Sequence, residues 1–194
     1  MKLQIFFNRI LMNEGENMKT NAKHIAFAAL AIALAVVTSM INVVKLPMGG
    51  SVTLFSMFFI AVIGYWYGLK TGLAAAVAYG VLQLVLNPYI LNIPQVLLDY
   101  ILGFGALGLS GIFSKSKNGL IKGYLAGVAG RFLCSFLSGW IFFAVYTPEF
   151  FNSAILYSIV YNGSYIGIEA LATVIVITLP PVKKALAYVK NNIV

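Results

Sequence analysis

The sequence predicts an all-α integral protein of the cell membrane, a bundle of six transmembrane helices with both termini in the cytoplasm. Of its 194 residues, 61% are hydrophobic and only 9% are charged, which is far more apolar than a typical soluble domain. Charged residues and Pro or Gly breaks divide the chain into apolar segments close to the roughly 20 residues that a membrane-spanning helix needs. Nearly all cationic residues fall on one side of the predicted membrane.

These breaks define the spans in order. Six helices are predicted, over residues 24–44, 51–68, 73–86, 95–113, 120–146 and 154–179. The connections contain Pro, Gly or charged residues and occupy residues 45–50, 70–72, 87–94, 114–119 and 147–149. Pro180 and Pro181 end the sixth helix, because proline cannot continue the hydrogen-bond ladder.

The cationic residues predict the orientation. With six spans both termini share one side, and that side carries all thirteen Lys and Arg residues except Lys45 and Arg131. The positive-inside rule therefore places both termini in the cytoplasm. Residues 1–22 and 183–194 are predicted as cytoplasmic tails of a membrane domain over residues 23–182. Because Met18 is an alternative start, we expect residues 1–17 to be a mis-assigned extension or, at most, a segment on the membrane surface.

Several function classes find no support in the sequence. The net charge of +8 does not form a basic stripe with interleaved aromatic residues, so nucleic-acid binding is not expected. Cys134 is the single cysteine and His24 the single histidine, which excludes a disulfide framework and a zinc-binding His pair. There is no phosphate-binding glycine loop with a lysine and no Ser-His arrangement. We therefore predict no catalytic residues, no metal and no cofactor, and expect any energy source to belong to a partner protein.

Three charged residues, Asp99, Arg131 and Glu169, lie inside the fourth, fifth and sixth predicted spans. An unpaired charge at such a depth costs several kcal/mol, so these residues either pair with one another or face a cavity. One interpretation is that they hold the three helices together. The interpretation that we favour is a binding pocket for a small molecule.

Polar residues around these charges recur at helical spacing. One stripe consists of Arg131, Ser135 and Ser138, and another of Asn162, Tyr165 and Glu169. Two facing stripes would enclose a cavity. Tyr157 precedes Asn162 by five residues, about 140° around an ideal helix. Both can reach one ligand only if Tyr157 lies at the start of the sixth helix.

The first predicted helix is rich in alanine. Ala29 and Ala33 form a pair of small residues one turn apart, a spacing that lets two membrane helices approach closely. This pattern indicates a docking face for a partner protein. The alternative is that alanine merely fills a crowded bundle.

Four stretches resemble the thiamine-specific S components, the substrate-binding subunits of energy-coupling factor (ECF) vitamin transporters. They are PMGGSV (47–52), QVLLDYILGF (95–104), RFLCSFLSGWIFF (131–143) and LYSIVYNGSYIGIEA (156–170). The resemblance covers about residues 23–182. It implies a six-helix protein that captures thiamine from outside the cell with high affinity and assembles with a membrane coupling subunit and two ATP-binding subunits. The Ala-rich face of the first helix would be the contact surface.

The resemblance also implies a ligand-binding set: Asp99, Tyr89, Tyr100, Arg131, Ser135, Phe143, Tyr157 and Asn162. Within that set Asp99 stands where an acidic residue faces the thiazolium cation, and Phe143 where a ring stacks on the ligand. A desolvated carboxylate and aromatic faces both stabilise a cationic ring. An asparagine such as Asn162 can both donate to and accept from an aminopyrimidine edge.

The sequence departs from the family pattern at three positions. Ser135 replaces a histidine that many members have, Phe143 replaces a tryptophan, and Ile168 replaces a proline. A close analogue of thiamine therefore stays open as the ligand. Two other functions also stay open, a stand-alone proton-coupled vitamin transporter in which Asp99 or Glu169 titrates, and an intramembrane enzyme. Arg131 is expected either to pair with Asp99 or Glu169 in the empty pocket or to meet the hydroxyethyl or phosphate end of the ligand.

Overall fold

The computed structural model describes residues 22–192, so the predictions for residues 1–21 lie outside the described residues. Within residues 22–192 seven helices of at least 12 residues follow one another, with a two-stranded antiparallel hairpin between the first and the second, and a short 3-10 helix, Ala144–Tyr146, follows the fifth. The helices are α1 (Ala22–Met40), α2 (Ser56–Tyr67), α3 (Leu69–Leu86), α4 (Ile93–Phe113), α5 (Gly119–Phe142), α6 (Ala154–Thr178) and α7 (Pro180–Asn192); the strands are β1 (Asn42–Lys45) and β2 (Ser51–Thr53).

Five of these helices, α1, α3, α4, α5 and α6, are long and apolar enough to cross a membrane. The sixth apolar helix, α2, has 12 residues. It contributes heavily to the core, where Ile60, Ala61 and Ile63 are fully buried against residues of α1, α3 and α4. The prediction of an all-α membrane bundle is confirmed.

The hairpin between α1 and α2 was not predicted. Residues 42–44 were expected to end the first helix and residues 51–53 to begin the second, but these residues pair as strands, with Val44 opposite Val52. The β-branched side chains favour extended backbone. Met48 and Gly49 make the turn with φ angles of 60° and 90°. The strands therefore shorten both helices at the same end of the bundle.

The turn predicted at residues 70–72 is also wrong, because α3 already begins at Leu69. Gly68 alone connects α2 to α3, with a φ of 84° that glycine adopts without steric cost. Gly72 instead serves close packing, since a Cβ atom there would lie 2.7 Å from the Cα atom of Gly64 on α2. The two helices thus form a tight antiparallel pair.

A further helix, α7, occupies most of the segment that was predicted only as a basic tail. It begins at the expected Pro180 break and folds back over the ends of α2 and α4. The Nζ atom of Lys190 donates to the carbonyl oxygen of Tyr65, at 2.9 Å, and to that of Ser114. It also lies 3.6 Å from the centre of the Tyr65 ring. These contacts close the end of the bundle that is opposite to the hairpin.

Candidate ligand-binding site

A cavity of about 380 Å³ opens at the hairpin end of the bundle, and residues of α1 to α6, of the hairpin and of the loop after α3 line it. All eight residues of the predicted ligand-binding set line this one cavity: Asp99, Tyr89, Tyr100, Arg131, Ser135, Phe143, Tyr157 and Asn162. The volume lies within the range of about 300–1,000 Å³ that is usual for small-molecule sites. That these eight residues contact a ligand stays a prediction.

Asp99 lies in a π-helical turn of α4, over Leu97–Leu102. Such turns are uncommon and are frequent at functional sites. Its Oδ2 atom accepts hydrogen bonds from Gln95 Nε2 at 2.6 Å and from Ser138 Oγ at 2.7 Å. Both bonds go to the same oxygen, so Oδ1 has no hydrogen-bond donor within residues 22–192. The carboxylate is therefore oriented and still able to accept from a ligand.

Arg131 enters the cavity from α5 without pairing with a carboxylate. Its guanidinium carbon lies 3.7 Å from the centre of the Phe104 ring. Its Nε and Nη1 atoms are buried and have no hydrogen-bond partner among the described residues. Across residues 22–192 no ion pair joins it to Asp99 or Glu169, so the structure does not show the pairing that one interpretation expected. Buried donors left unpaired cost about 1–3 kcal/mol each, which a ligand acceptor could recover.

Glu169 is engaged differently, although it also borders the cavity. It is only 4% exposed. Its Oε2 atom accepts from the backbone N–H of Thr53 at 3.0 Å and from the hydroxyl of Thr53 at 2.7 Å. Its Oε1 atom accepts from the backbone N–H of Met57 at 3.1 Å and from Ser56 Oγ at 3.4 Å. The carboxylate therefore joins α6 to the second strand and to the start of α2.

The polar stripe of α6 forms one wall. Tyr157 lies in the first turn of this helix, where the spacing argument requires it. Asn162 donates through Nδ2 to the carbonyl oxygen of Ser158 at 2.9 Å, and its Oδ1 atom accepts from the Tyr165 hydroxyl at 3.0 Å. Ser158 in turn donates to the carbonyl oxygen of Phe136 on α5 at 2.7 Å. These bonds hold the Asn162 amide in a defined orientation at the cavity.

Aromatic rings stand at the cavity mouth. The ring of Tyr89, in the loop between α3 and α4, lies 5.6 Å from that of Phe143. The Tyr100 hydroxyl accepts from the Tyr89 N–H at 2.8 Å and donates to the carbonyl oxygen of Asn87 at 2.9 Å. Gln95 Nε2 also donates to the carbonyl oxygen of Tyr89, at 3.2 Å. Tyr100 and Gln95 thus hold the loop that carries Tyr89.

Residues of the first three helices and of the hairpin also line the cavity, whereas the predicted set came from the last three predicted helices and from Tyr89 in the loop before them. Ser39 on α1 and Gln83 on α3 line the cavity and bond to each other, Nε2 to Oγ, at 2.7 Å. Lys45 lines it from the hairpin. The position of Gln83 could have been predicted from the sequence, since a primary amide in an apolar span seldom faces lipid. The contribution of the hairpin was not predicted, because residues 42–44 and 51–53 were expected to be helical and residues 45–50 to be a connection without a role in the site.

A bundle of apolar helices around a cavity with polar and aromatic walls is typical of a membrane protein that binds a small solute. The model of the family described as thiamine transporter protein (Thia_YuaJ) matches residues 25–189. The chain belongs to this family. Membership confirms the expectation of a transport protein that is not an enzyme.

Individual relatives agree with this assignment. Thiamine transporter ThiT of Bacillus subtilis (strain 168) is 30% identical over 182 residues, which cover 87% of this chain and 93% of that protein. Thiamine transporter ThiT of Lacticaseibacillus paracasei is 27% identical over 169 residues, covering 77% and 80%. A solved structure of ThiT from Listeria monocytogenes matches with a TM-score of 0.62 at 22% identity, over 86% of this chain and 97% of that one. This last similarity shows the shared fold.

Proposed function

We propose that this chain is the high-affinity thiamine-binding S component of an ECF-type ABC transporter. It captures vitamin B1 or a close analogue from outside the cell, for ATP-driven uptake with partner subunits. The observation that best supports this proposal is the carboxylate of Asp99, which two hydrogen bonds orient and which keeps one oxygen free in the cavity. The aromatic rings of Tyr89, Phe143 and Tyr157 line the same cavity. A carboxylate and aromatic faces together favour a flat cation over a neutral solute.

The other cavity residues suit the remaining parts of thiamine. The Asn162 amide can both donate to and accept from an aminopyrimidine. Its Oδ1 atom becomes available to the ligand when the Tyr165 hydroxyl no longer donates to it. The unpaired N–H groups of Arg131 are available to the hydroxyethyl end, or to a phosphate on it. Ser135 leaves space where many relatives are expected to have a histidine, so an analogue with a larger ring remains compatible with the site.

We propose further that the chain spans the membrane six times, with α2 as the short span and both termini in the cytoplasm. The cavity end carries the hairpin and the loops after α3 and α5, whereas Lys115, Lys117, Lys183 and Lys184 lie toward the opposite end. The positive-inside rule supports a cytoplasmic position for that opposite end. The cavity would then open to the outside.

The partners in this proposal are a membrane coupling subunit and two ATP-binding subunits. Ala29 and Ala33 on α1 are both exposed, so no other described helix of the chain covers them. Small side chains one turn apart allow close approach of a partner helix. This face is the proposed contact surface with the coupling subunit.

Substitution of Asp99 tests the thiamine site. Asp99→Asn keeps the shape of the side chain and removes its charge, and a hydrogen bond or contact to a charged group contributes about 1.5–3 kcal/mol. We expect thiamine affinity to fall at least about tenfold, measured by calorimetric titration of the purified protein in detergent. Glu149→Gln removes an equal charge from an exposed loop and should leave the affinity unchanged. Unchanged affinity in Asp99→Asn would contradict the proposed role.

A further inference from the structure

The hairpin, residues 42–53, covers the cavity, and α6 holds it at two places. Lys45, Met48, Gly50 and Thr53 line the cavity from this side. Near the turn, the Tyr161 hydroxyl accepts from the Gly50 N–H at 3.0 Å and donates to the carbonyl oxygen of Pro47. At its base, the hairpin bonds to Glu169. The two side chains are eight residues apart, about 12 Å along one face of the helix.

The contact at Glu169 replaces a missing helix cap. The residue before α2, Phe55, has a φ of 64° and gives no side-chain hydrogen bond to the first turn. The first N–H groups of a helix need such an acceptor, and a negative charge is favourable there. Glu169 supplies both from another helix, by accepting from the N–H of Met57 and from Thr53 just before the helix.

The same contacts engage both carboxylate oxygens of Glu169. The Thr53 N–H and hydroxyl donate to Oε2, and the Met57 N–H donates to Oε1. The Ser56 hydroxyl has a single proton, which it gives either to Thr53 Oγ1, at 2.6 Å, or to Glu169 Oε1, at 3.4 Å. Asp99 differs, since only one of its oxygens is occupied. The two acids that border the cavity therefore have different capacities for a cationic ligand.

We propose that Glu169 is a positioning residue for ligand binding, whose carboxylate sets the place of the hairpin over the cavity by holding Thr53 and Met57. This inference rests on the proposed thiamine site. In this proposal Glu169 maintains the geometry of the site, and Asp99 recognises the cation. Both oxygens of Glu169 are needed for this role, because a glutamine would place its NH₂ group, a donor, opposite the N–H of Thr53 or of Met57, which is also a donor. A glutamine would also lack the negative charge at the start of α2.

The experiment compares Glu169→Gln with Glu149→Gln, which makes the same change at an exposed position without hairpin contacts. Thiamine affinity is measured by calorimetric titration in detergent. Hairpin order is measured without ligand, from the mobility of a nitroxide spin label on Val43→Cys in a Cys134→Ser background. Val43 is 63% exposed and does not line the cavity, so the label reports on the hairpin alone.

We expect Glu169→Gln to raise the label mobility and to weaken thiamine binding at least tenfold, while Glu149→Gln changes neither. A lower melting temperature with unchanged affinity and unchanged mobility of the folded protein would show a purely structural role and overturn the proposal. If the wild-type chain does not bind thiamine, the proposed function fails, and an unchanged label mobility would then reject the role of Glu169 separately.

A second variant covers the case in which Glu169→Gln does not fold. Thr53→Val removes one donor and keeps the carboxylate, so a smaller rise in label mobility is expected in the same direction. Where both variants fold, the double variant should weaken binding by less than the product of the two single effects, because both act on one contact. Multiplicative effects would show that Glu169 does not act through Thr53.

Discussion

Asp99 and Glu169 both border the cavity, but the hydrogen bonds that their carboxylates accept are different. The sequence presents them alike, as acids within apolar spans. In the structure both oxygens of Glu169 accept hydrogen bonds, whereas Asp99 receives two hydrogen bonds on one oxygen. The difference arises from the end of the hairpin and the start of α2, because the N–H groups of Thr53 and Met57 donate to Glu169 and not to Asp99. At the scale of single residues, the neighbours of an acid decide its function.

Arg131 permits a prediction at the same scale. Arg131→Met removes two buried nitrogen atoms, Nε and Nη1, that have no hydrogen-bond partner within residues 22–192, and each such unpaired donor costs about 1–3 kcal/mol. We expect the ligand-free protein to melt at the same or a higher temperature. Affinity for thiamine monophosphate should fall more than affinity for thiamine, because an arginine binds phosphate strongly.

Thermal unfolding and competitive calorimetric titration measure these two effects. Lys45→Met is the matched control, since Lys45 is the other cation that lines the cavity and comes from the hairpin. Equal losses of affinity for both ligands in Arg131→Met would contradict a contact between Arg131 and the end of the ligand that carries the phosphate.

At the scale of elements, α7 closes the end of the bundle opposite to the hairpin, which we propose to be the cytoplasmic end. Lys190 reaches the last turn of α2 and Ser114, the residue that follows α4, where carbonyl oxygens lack partners within their own helices. A cation at a helix C-terminus also interacts favourably with the helix dipole. The side chain of Leu186 packs against the small core formed by Val62, Leu120 and Ile177. One lysine thus ties the last helix to two membrane helices.

Lys190→Met should therefore loosen α7 and leave the cavity intact. Hydrogen bonds from a charged donor contribute about 1.5–3 kcal/mol when well formed, so a stability loss of about 1 kcal/mol is expected at this half-buried site. Trypsin should cleave faster after Lys183 and Lys184, as measured by limited proteolysis, with thiamine affinity unchanged. Lys184→Met alters an exposed lysine of the same helix and should not destabilise α7.

At the scale of the whole molecule, the cavity and the lysine-rich loops lie at opposite ends. This separation suits a protein that receives a solute on one side and meets cytoplasmic ATP-binding subunits on the other. In the function that we propose, binding and energy coupling use different surfaces, the cavity for the ligand and the exposed face of α1 for the partner. The two activities should therefore be separable by substitution.

Ala33→Leu tests this separation. A larger side chain on the exposed face of α1 would keep a partner helix at a distance, because small residues permit close packing. Thiamine affinity of the purified chain should stay unchanged, while uptake into vesicles that contain all subunits should fall at least about tenfold. Ala78→Leu, at an exposed position of α3, is the control and should not reduce uptake. Uptake by the chain alone, driven by a pH gradient, would instead favour a stand-alone carrier.

Much of the fold and of the cavity wall could be predicted from the sequence. Runs of apolar residues determine membrane helices, because a polar backbone in lipid must satisfy its hydrogen bonds within the helix. Helical spacing placed Arg131 and Ser135 on one face and Asn162 with Tyr165 on another, and both faces border the cavity. These are local properties of single helices, so the spacing of residues in the sequence is enough to predict them.

What the sequence alone determined is an apolar helical protein with charged and aromatic residues in its later spans, because insertion into lipid depends on composition and period. Only the tertiary structure decided that residues 42–53 fold as a hairpin, that Gln83 and Ser39 face the cavity, and that Glu169 holds the hairpin in place. These features depend on donors and acceptors far apart in the chain, which meet only when the helices pack.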